Sequence, residues 1–189
     1  MKHFLRDNIA ADFCENLSSE RFGAVLVNSP WNILYEELRH KGLAAEADKY
    51  QEALMGALLA LPVERLLDER CHLYLYTPNS AIPSGLELLK RWGFDYKSNL
   101  IIHNGKGAAQ SGGQKSKFFR NVTDMVLFGV RGKGARTLDP GRTQVNYFEA
   151  PCQLHRVIEA CSSGPYLELF NDQARPGWTA WKWQFLEHA

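Results

Sequence analysis

Four consecutive residues, Asn28-Ser29-Pro30-Trp31, directly follow the apolar run Phe22-Gly23-Ala24-Val25-Leu26-Val27. Such a run, β-branched at its end and stopped by Asn-Ser-Pro, reads as a buried strand running into a loop. At that point the Asn28 side-chain oxygen and the Ser29 main-chain carbonyl are two hydrogen-bond acceptors, and Pro30 stiffens the loop that aims them. Two fixed acceptors suit a weakly nucleophilic ring amine. They take hydrogen bonds from its protons and draw its lone pair forward, and preorganisation makes the pull effective. Trp31 offers a flat face on which a planar ring can stack. Taken alone, the four residues equally make an ordinary strand-to-loop turn with a tryptophan bound for the core.

The rest of the chain supplies elements to hold that loop. Residues 44–60 are rich in Ala, Leu and Glu and predict a helix, which Leu61-Pro62 ends. His72 to Tyr76 predicts a second strand, and Thr77-Pro78-Asn79-Ser80 a turn. Pro83 opens a helix that Gly93 closes. Further strands are expected over Phe94 to Ile102, Asp124 to Val130 and Tyr166 to Phe170, and a helix near 152–161. Residues 103–121 and 131–146 read as flexible basic loops and residues 1–20 as an N-terminal extension of a single domain. Alternating strands and helices at this spacing predict a three-layer α/β sandwich with a mostly parallel sheet. Ligands of such sheets sit at the carboxyl ends of strands. The loops after Val27, Tyr76 and Phe170 are therefore expected to converge on one site.

The tetrapeptide has the form of the loop of amino-group methyltransferases, in which Asp, Asn or Ser is followed by any residue, Pro and an aromatic. Other motifs follow it in order. Leu61-Pro62-Val63 closes a helix, and His72-Leu73-Tyr74-Leu75-Tyr76 forms an aromatic strand. Leu88-Leu89-Lys90-Arg91-Trp92-Gly93-Phe94-Asp95-Tyr96-Lys97 comes next, then Phe119 to Gly132, Phe148-Glu149-Ala150-Pro151, and Ile158 to Trp181. This succession, from Phe22 to Trp181, resembles the MT-A70 family of adenine-N6 methyltransferases. The resemblance implies a Rossmann-like, S-adenosylmethionine-dependent methyltransferase fold acting on adenine in DNA or RNA, with no metal. It implies Asn28, Ser29, Pro30 and Trp31 as the catalytic loop. It also places Asn28 and the strand end Glu168, Leu169 and Phe170 beside the cofactor. Leu169 and Phe170 are expected to pack in the core in either case, and Glu168 reads equally as a surface charge.

The sequence departs from the family pattern at several points. Asn28 stands where the family usually has Asp, and Ser29 where it has Pro. The loop after Pro151 is shortened, with His155 and Arg156 reading as a helix-surface pair. Asn171-Asp172 replaces Ala-Arg, Lys182-Trp183 replaces Gly-Asn, and His103-Asn104 stands in place of a Lys. These changes fall on the cofactor side. They raise an alternative function: a catalytically impaired pseudo-methyltransferase that serves as a nucleic-acid-binding or heterodimer subunit.

The net charge of +1 excludes a chain that binds polyanions by being basic throughout. Charge is local instead. From Lys106 to Arg142 there are eight basic residues and two acidic ones. Two basic loops flanking one strand are expected to clamp a phosphate backbone. Lys106, Lys115, Lys117, Arg120 and Asn121 are the candidate contacts, with DNA expected ahead of RNA, and a homo- or heterodimer partner is possible. Trp178, Trp181 and Trp183 are expected in the core or at a partner contact. Cys14, Cys71, Cys152 and Cys161 show no metal-ligand spacing and read as reduced thiols of a cytoplasmic protein. No apolar run approaches the roughly 20 residues that span a bilayer, and the N-terminal stretch has no secretory pattern.

Overall fold

The computed structural model describes residues 13, 17, 20–28, 42, 44–103, 122–149, 153–171, 173 and 175–182. Among these, seven strands form one sheet. Strand β1 (Phe22–Asn28) lies inside it, paired in parallel with β2 (Leu67–Thr77) on one side and β6 (Tyr166–Leu169) on the other. Beyond β6 comes β7 (Trp178–Trp181), also parallel. On the other flank β4 (Thr123–Arg131) runs antiparallel to β2, and β3 (Asp95–His103) antiparallel to β4. A two-residue strand, β5 (Tyr147–Phe148), edges β3. The order is β5-β3-β4-β2-β1-β6-β7. Strand β1 is hydrogen-bonded on both edges and covered on both faces, which is why its sequence is continuously apolar rather than alternating.

Helices α1 (Ala44–Ala60) and α2 (Ile82–Arg91) pack on one face, and α3 (Leu154–Cys161) on the other. Ala53, Leu54, Ala57 and Leu58 of α1 meet Leu88 and Leu89 of α2 over Val25, Val27, Leu73 and Leu75. Trp92, fully buried, donates its Nε1 hydrogen to the Leu58 carbonyl at 3.2 Å and so ties the end of α2 to α1. Leu154, Val157, Ile158 and Cys161 of α3 cover Ala24, Leu26 and Tyr74. Along β2, Cys71, Leu73 and Leu75 face the α1–α2 layer, while His72, Tyr74 and Tyr76 face the α3 layer. This is the three-layer sandwich expected from the sequence.

Two strands were not expected. Strand β7 lies in the tryptophan-rich segment, and β5 inside what reads as polar loop. Trp178 and Trp181 are buried, as anticipated for core tryptophans; Trp183 lies outside the described residues. Cys71 and Cys161 are buried free thiols, and burial pushes Cys71 up to about 12. Cys14 and Cys152 lie outside the described residues.

The antiparallel course of β4 changes the reading of the basic loops. Thr123 pairs with His103 at the edge where β1, β2 and β6 end, whereas Arg131 pairs with Cys71 near the opposite edge. His103 and Thr123 therefore stand at the carboxyl edge, the 132–146 segment starts from the amino edge, and residues 104–121 lie outside the described residues. Nine residues of β4, about 27 Å of strand, separate Thr123 at the one edge from Arg131 at the other. The second segment contains a 3₁₀ turn (Asp139–Thr143), and Leu138 N–H donates to the Cys161 carbonyl of α3 at 2.9 Å.

Close backbone approach at that edge requires glycine. Gly132 has φ +93°, and a Cβ there would lie 2.1 Å from the Glu69 main-chain oxygen; Gly134 has φ +73° with open space around it. Gly132→Ala is expected to cost about 2–4 kcal/mol, from the left-handed backbone plus the collision, and Gly134→Ala only about 1 kcal/mol. Denaturant unfolding of the two variants checks this. Equal losses would mean that the β2 main chain yields at Gly132.

Candidate active site

Asn28 is the last residue of β1 and pairs in register with Tyr76 of β2, which places both on the α3 face at the carboxyl edge. Glu168 of β6 pairs with Leu26 and Ala180 and shares that face. Helix α3 leads back to the start of β6, so its first turn overlies the strand ends. There His155 reaches Glu168.

Glu168 is 1% exposed. A carboxylate so buried needs donors for its oxygens. Asn28 Nδ2 donates to Oε1, and His155 Nε2 lies 2.8 Å from Oε2. The Asn171 side chain hydrogen-bonds the same carboxylate. Asn171 Oδ1 accepts from Gln173 N–H at 3.0 Å, which leaves its Nδ2 to serve Glu168. Burial pushes the Glu168 pKa up, but the His155 hydrogen bond and charge, then Asn171 and Asn28, outweigh it and hold the value below the ordinary 4.5. Glu168 is thus ionised at neutral pH.

This arrangement fixes the Asn28 amide. With Nδ2 committed to Glu168, Oδ1 is left as an acceptor with no partner among the described residues. An Asp at this position would set two carboxylates against each other in a dry pocket, which accounts physically for the amide. Beside it, Tyr76 donates its hydroxyl hydrogen to Asp124 Oδ2 at 2.6 Å. Burial first, then the Asp124 charge, raises the Tyr76 pKa well above its usual range.

The turn after β6 is tightly drawn. Phe170 has φ 65°, and its N–H and that of Asn171 both donate to the Trp181 carbonyl, at 2.7 and 3.2 Å. Left-handed backbone in a non-glycine residue costs about 1–2 kcal/mol. Here it is held by these two bonds and by the Phe170 ring standing edge-on to Trp181 at 5.3 Å. Trp181 Nε1 and Tyr50 Oη are buried without a hydrogen-bond partner among the described residues. Among the described residues, no three His, Cys, Asp or Glu side chains gather as metal ligands.

The structure thus corrects several sequence expectations. Glu168 is not a surface charge: it is buried, and its oxygens accept hydrogen bonds within the protein. Leu169 is buried in the core and Phe170 packs against it, as expected of both. His155, read as half of a helix-surface pair, is 18% exposed at its side chain and joins Glu168, while Arg156 is exposed. Tyr76 was not singled out as a site residue, and Asn171 was marked only as a departure from the family pattern, not as a partner of Glu168. Ser29, Pro30, Trp31, Lys106, Lys115, Lys117, Arg120 and Asn121 lie outside the described residues.

The MT-A70 family model matches residues 22–184, nearly the whole of this sheet and its helices. No curated protein matches the chain. No helix among the described residues is long and apolar enough to cross a membrane.

Replacing Glu168 by Gln removes a buried charge that three donors face. The expected loss of unfolding free energy at neutral pH is about 1–3 kcal/mol. Because the folded value lies below the ordinary 4.5, the stabilisation is complete above that value and is lost as pH falls through it. The difference between wild type and Glu168→Gln should therefore close on acidification below about 4.5, followed by urea unfolding. A difference that persists unchanged in acid would contradict an ionised Glu168.

Proposed function

The chain belongs to the MT-A70 family, whose members are S-adenosylmethionine-dependent methyltransferases; from that premise and the site geometry, we propose that it methylates the N6 amine of adenine in DNA or RNA. The observation that carries this reading is the Asn28 amide held through Nδ2 by buried Glu168, its Oδ1 without a partner among the described residues. In this reading Asn28 Oδ1 accepts a hydrogen bond from the adenine amine, assisted by the Ser29 carbonyl. The amine becomes acidic only as its new bond forms, so no strongly shifted general base is needed. Pro30 holds the loop and Trp31 stacks on the base, which leaves its own stack to arrive there. His155 and Asn171 act through Glu168 as positioning residues.

Bound S-adenosylmethionine supplies an electrophilic methyl group on a sulfonium. The residues present fit such a group in one respect: the buried Trp181 Nε1 still has a hydrogen to donate. The Phe170–Asn171 turn and the end of β1 are the surfaces nearest to hold it. The full engagement of Glu168 within the protein favours the second reading, a subunit that binds nucleic acid or a partner without turnover.

Asn28→Ala separates the two. Under the catalytic reading, transfer of radiolabelled methyl to adenine-containing DNA or RNA oligonucleotides falls by about a hundredfold or more, as when one preorganised polar group is removed. Cofactor affinity measured by calorimetry is retained. Wild-type protein that neither binds the cofactor nor transfers methyl groups supports the non-catalytic reading. Full activity in Asn28→Ala would remove Asn28 from the reaction.

A further inference from the structure

The opposite edge of the sheet holds a cavity unrelated to Asn28. It has a volume of about 200 Å³ and lies where β1 and β2 begin and β4 ends. Arg70, His72, Gly134, Arg136, Leu138 and Ser163 line it, and no carboxylate does so among the described residues. Arg70 and Arg136 are exposed and make no ion pair or hydrogen bond among the described residues. Two unpaired guanidinium groups around one concavity repel each other unless an anion sits between them.

His72 completes the wall. It is 5% exposed, and its Nδ1 lies 2.7 Å from Ser162 Oγ. The same oxygen lies 2.7 Å from the Tyr74 hydroxyl. When Tyr74 donates to Ser162, Ser162 donates to Nδ1, and the ring proton resides on Nε2. The ring is thus pinned through one nitrogen, with the other left as a donor. The left-handed glycines 132 and 134 fold the chain after β4 back so that Arg136 joins Arg70.

We propose that this cavity is a second ligand site that binds a phosphate group, held by Arg70, Arg136 and the Nε2 hydrogen of His72. Guanidinium groups match phosphate oxygens in planar, paired hydrogen bonds. The phosphate has two possible sources with the same chemistry: the backbone of a nucleic acid, or a free phosphate such as that of a nucleotide. The site is independent of the methyl-transfer reading, because it stands at the other edge of the sheet.

The test uses the full chain, with Arg70→Gln, Arg136→Gln and the double variant. Both positions are exposed and unpaired, and circular dichroism melting checks that folding is intact. Ser163→Asp, also at an exposed position, puts a carboxylate into the cavity without removing either arginine. Inorganic phosphate and adenosine monophosphate are titrated by calorimetry, and a fluorescent adenine-free oligonucleotide is titrated by anisotropy over a range of salt concentrations. A free-phosphate site shows phosphate or nucleotide binding weakened about tenfold by each arginine variant and abolished by Ser163→Asp, with oligonucleotide affinity unmoved. A backbone site shows weaker oligonucleotide binding in the same variants, and a salt slope lower by about 2 in the double variant. Wild-type values for every probe in the double variant and in Ser163→Asp would overturn the proposal.

Discussion

A buried carboxylate organises this molecule. Glu168 is almost wholly withdrawn from water, and an ion in that position is stable only when donors surround it. Its donors come from three separate elements: Asn28 from the end of β1, His155 from the first turn of α3, and Asn171 from the turn after β6. None of these residues is near the others along the chain, apart from the last. The contact therefore forms only when the central strands are paired and α3 has docked. Folding and the orientation of the Asn28 amide are one event.

The surrounding structure serves that convergence. Trp178 stands edge-on to His155 at 4.9 Å, stacks on Tyr166, and is itself anchored by donating to Glu159 at 2.8 Å. The imidazole is thus steadied from the β7 side. The strained Phe170 persists because the Trp181 carbonyl receives two N–H groups at once. Strand β7, short as it is, steadies the site from the outer flank while β2 and Tyr76 flank it on the other.

Much of this was legible in the sequence, for physical reasons. Strands buried on both faces announce themselves as continuous apolar runs, as β1 does, and the helices by caps and breakers such as Pro83 and Gly93. The ordered motifs gave the family and the end of the sheet where chemistry belongs. What escaped was long-range and polar. A glutamate among Leu167 and Leu169 looks like an edge charge until its partners are known, and those partners are up to 140 residues away. His155 neighbours the apolar stripe of α3 and was read as surface, because periodicity does not show that this helix begins over the strand ends. Two-residue β5 is too short to carry a pattern, and β7 was masked by its tryptophans. The antiparallel course of β4 against β2 is likewise something composition does not encode.

One strand now acquires a further meaning. Residues 70, 72, 74 and 76 of β2 follow one another along a single face, from the arginine cavity through the Tyr74–Ser162 bridge to the neighbour of Asn28. Residues 71, 73 and 75 lie in the core behind them. Both edges of the protein are therefore written in the same reading frame. Loss or gain of one residue within this strand would exchange the two sets, driving tyrosines, a histidine and an arginine under α1 and α2 and leucines under α3. Lineages of this chain can vary in length at the connections between strands, but the interior of β2 must hold a constant count.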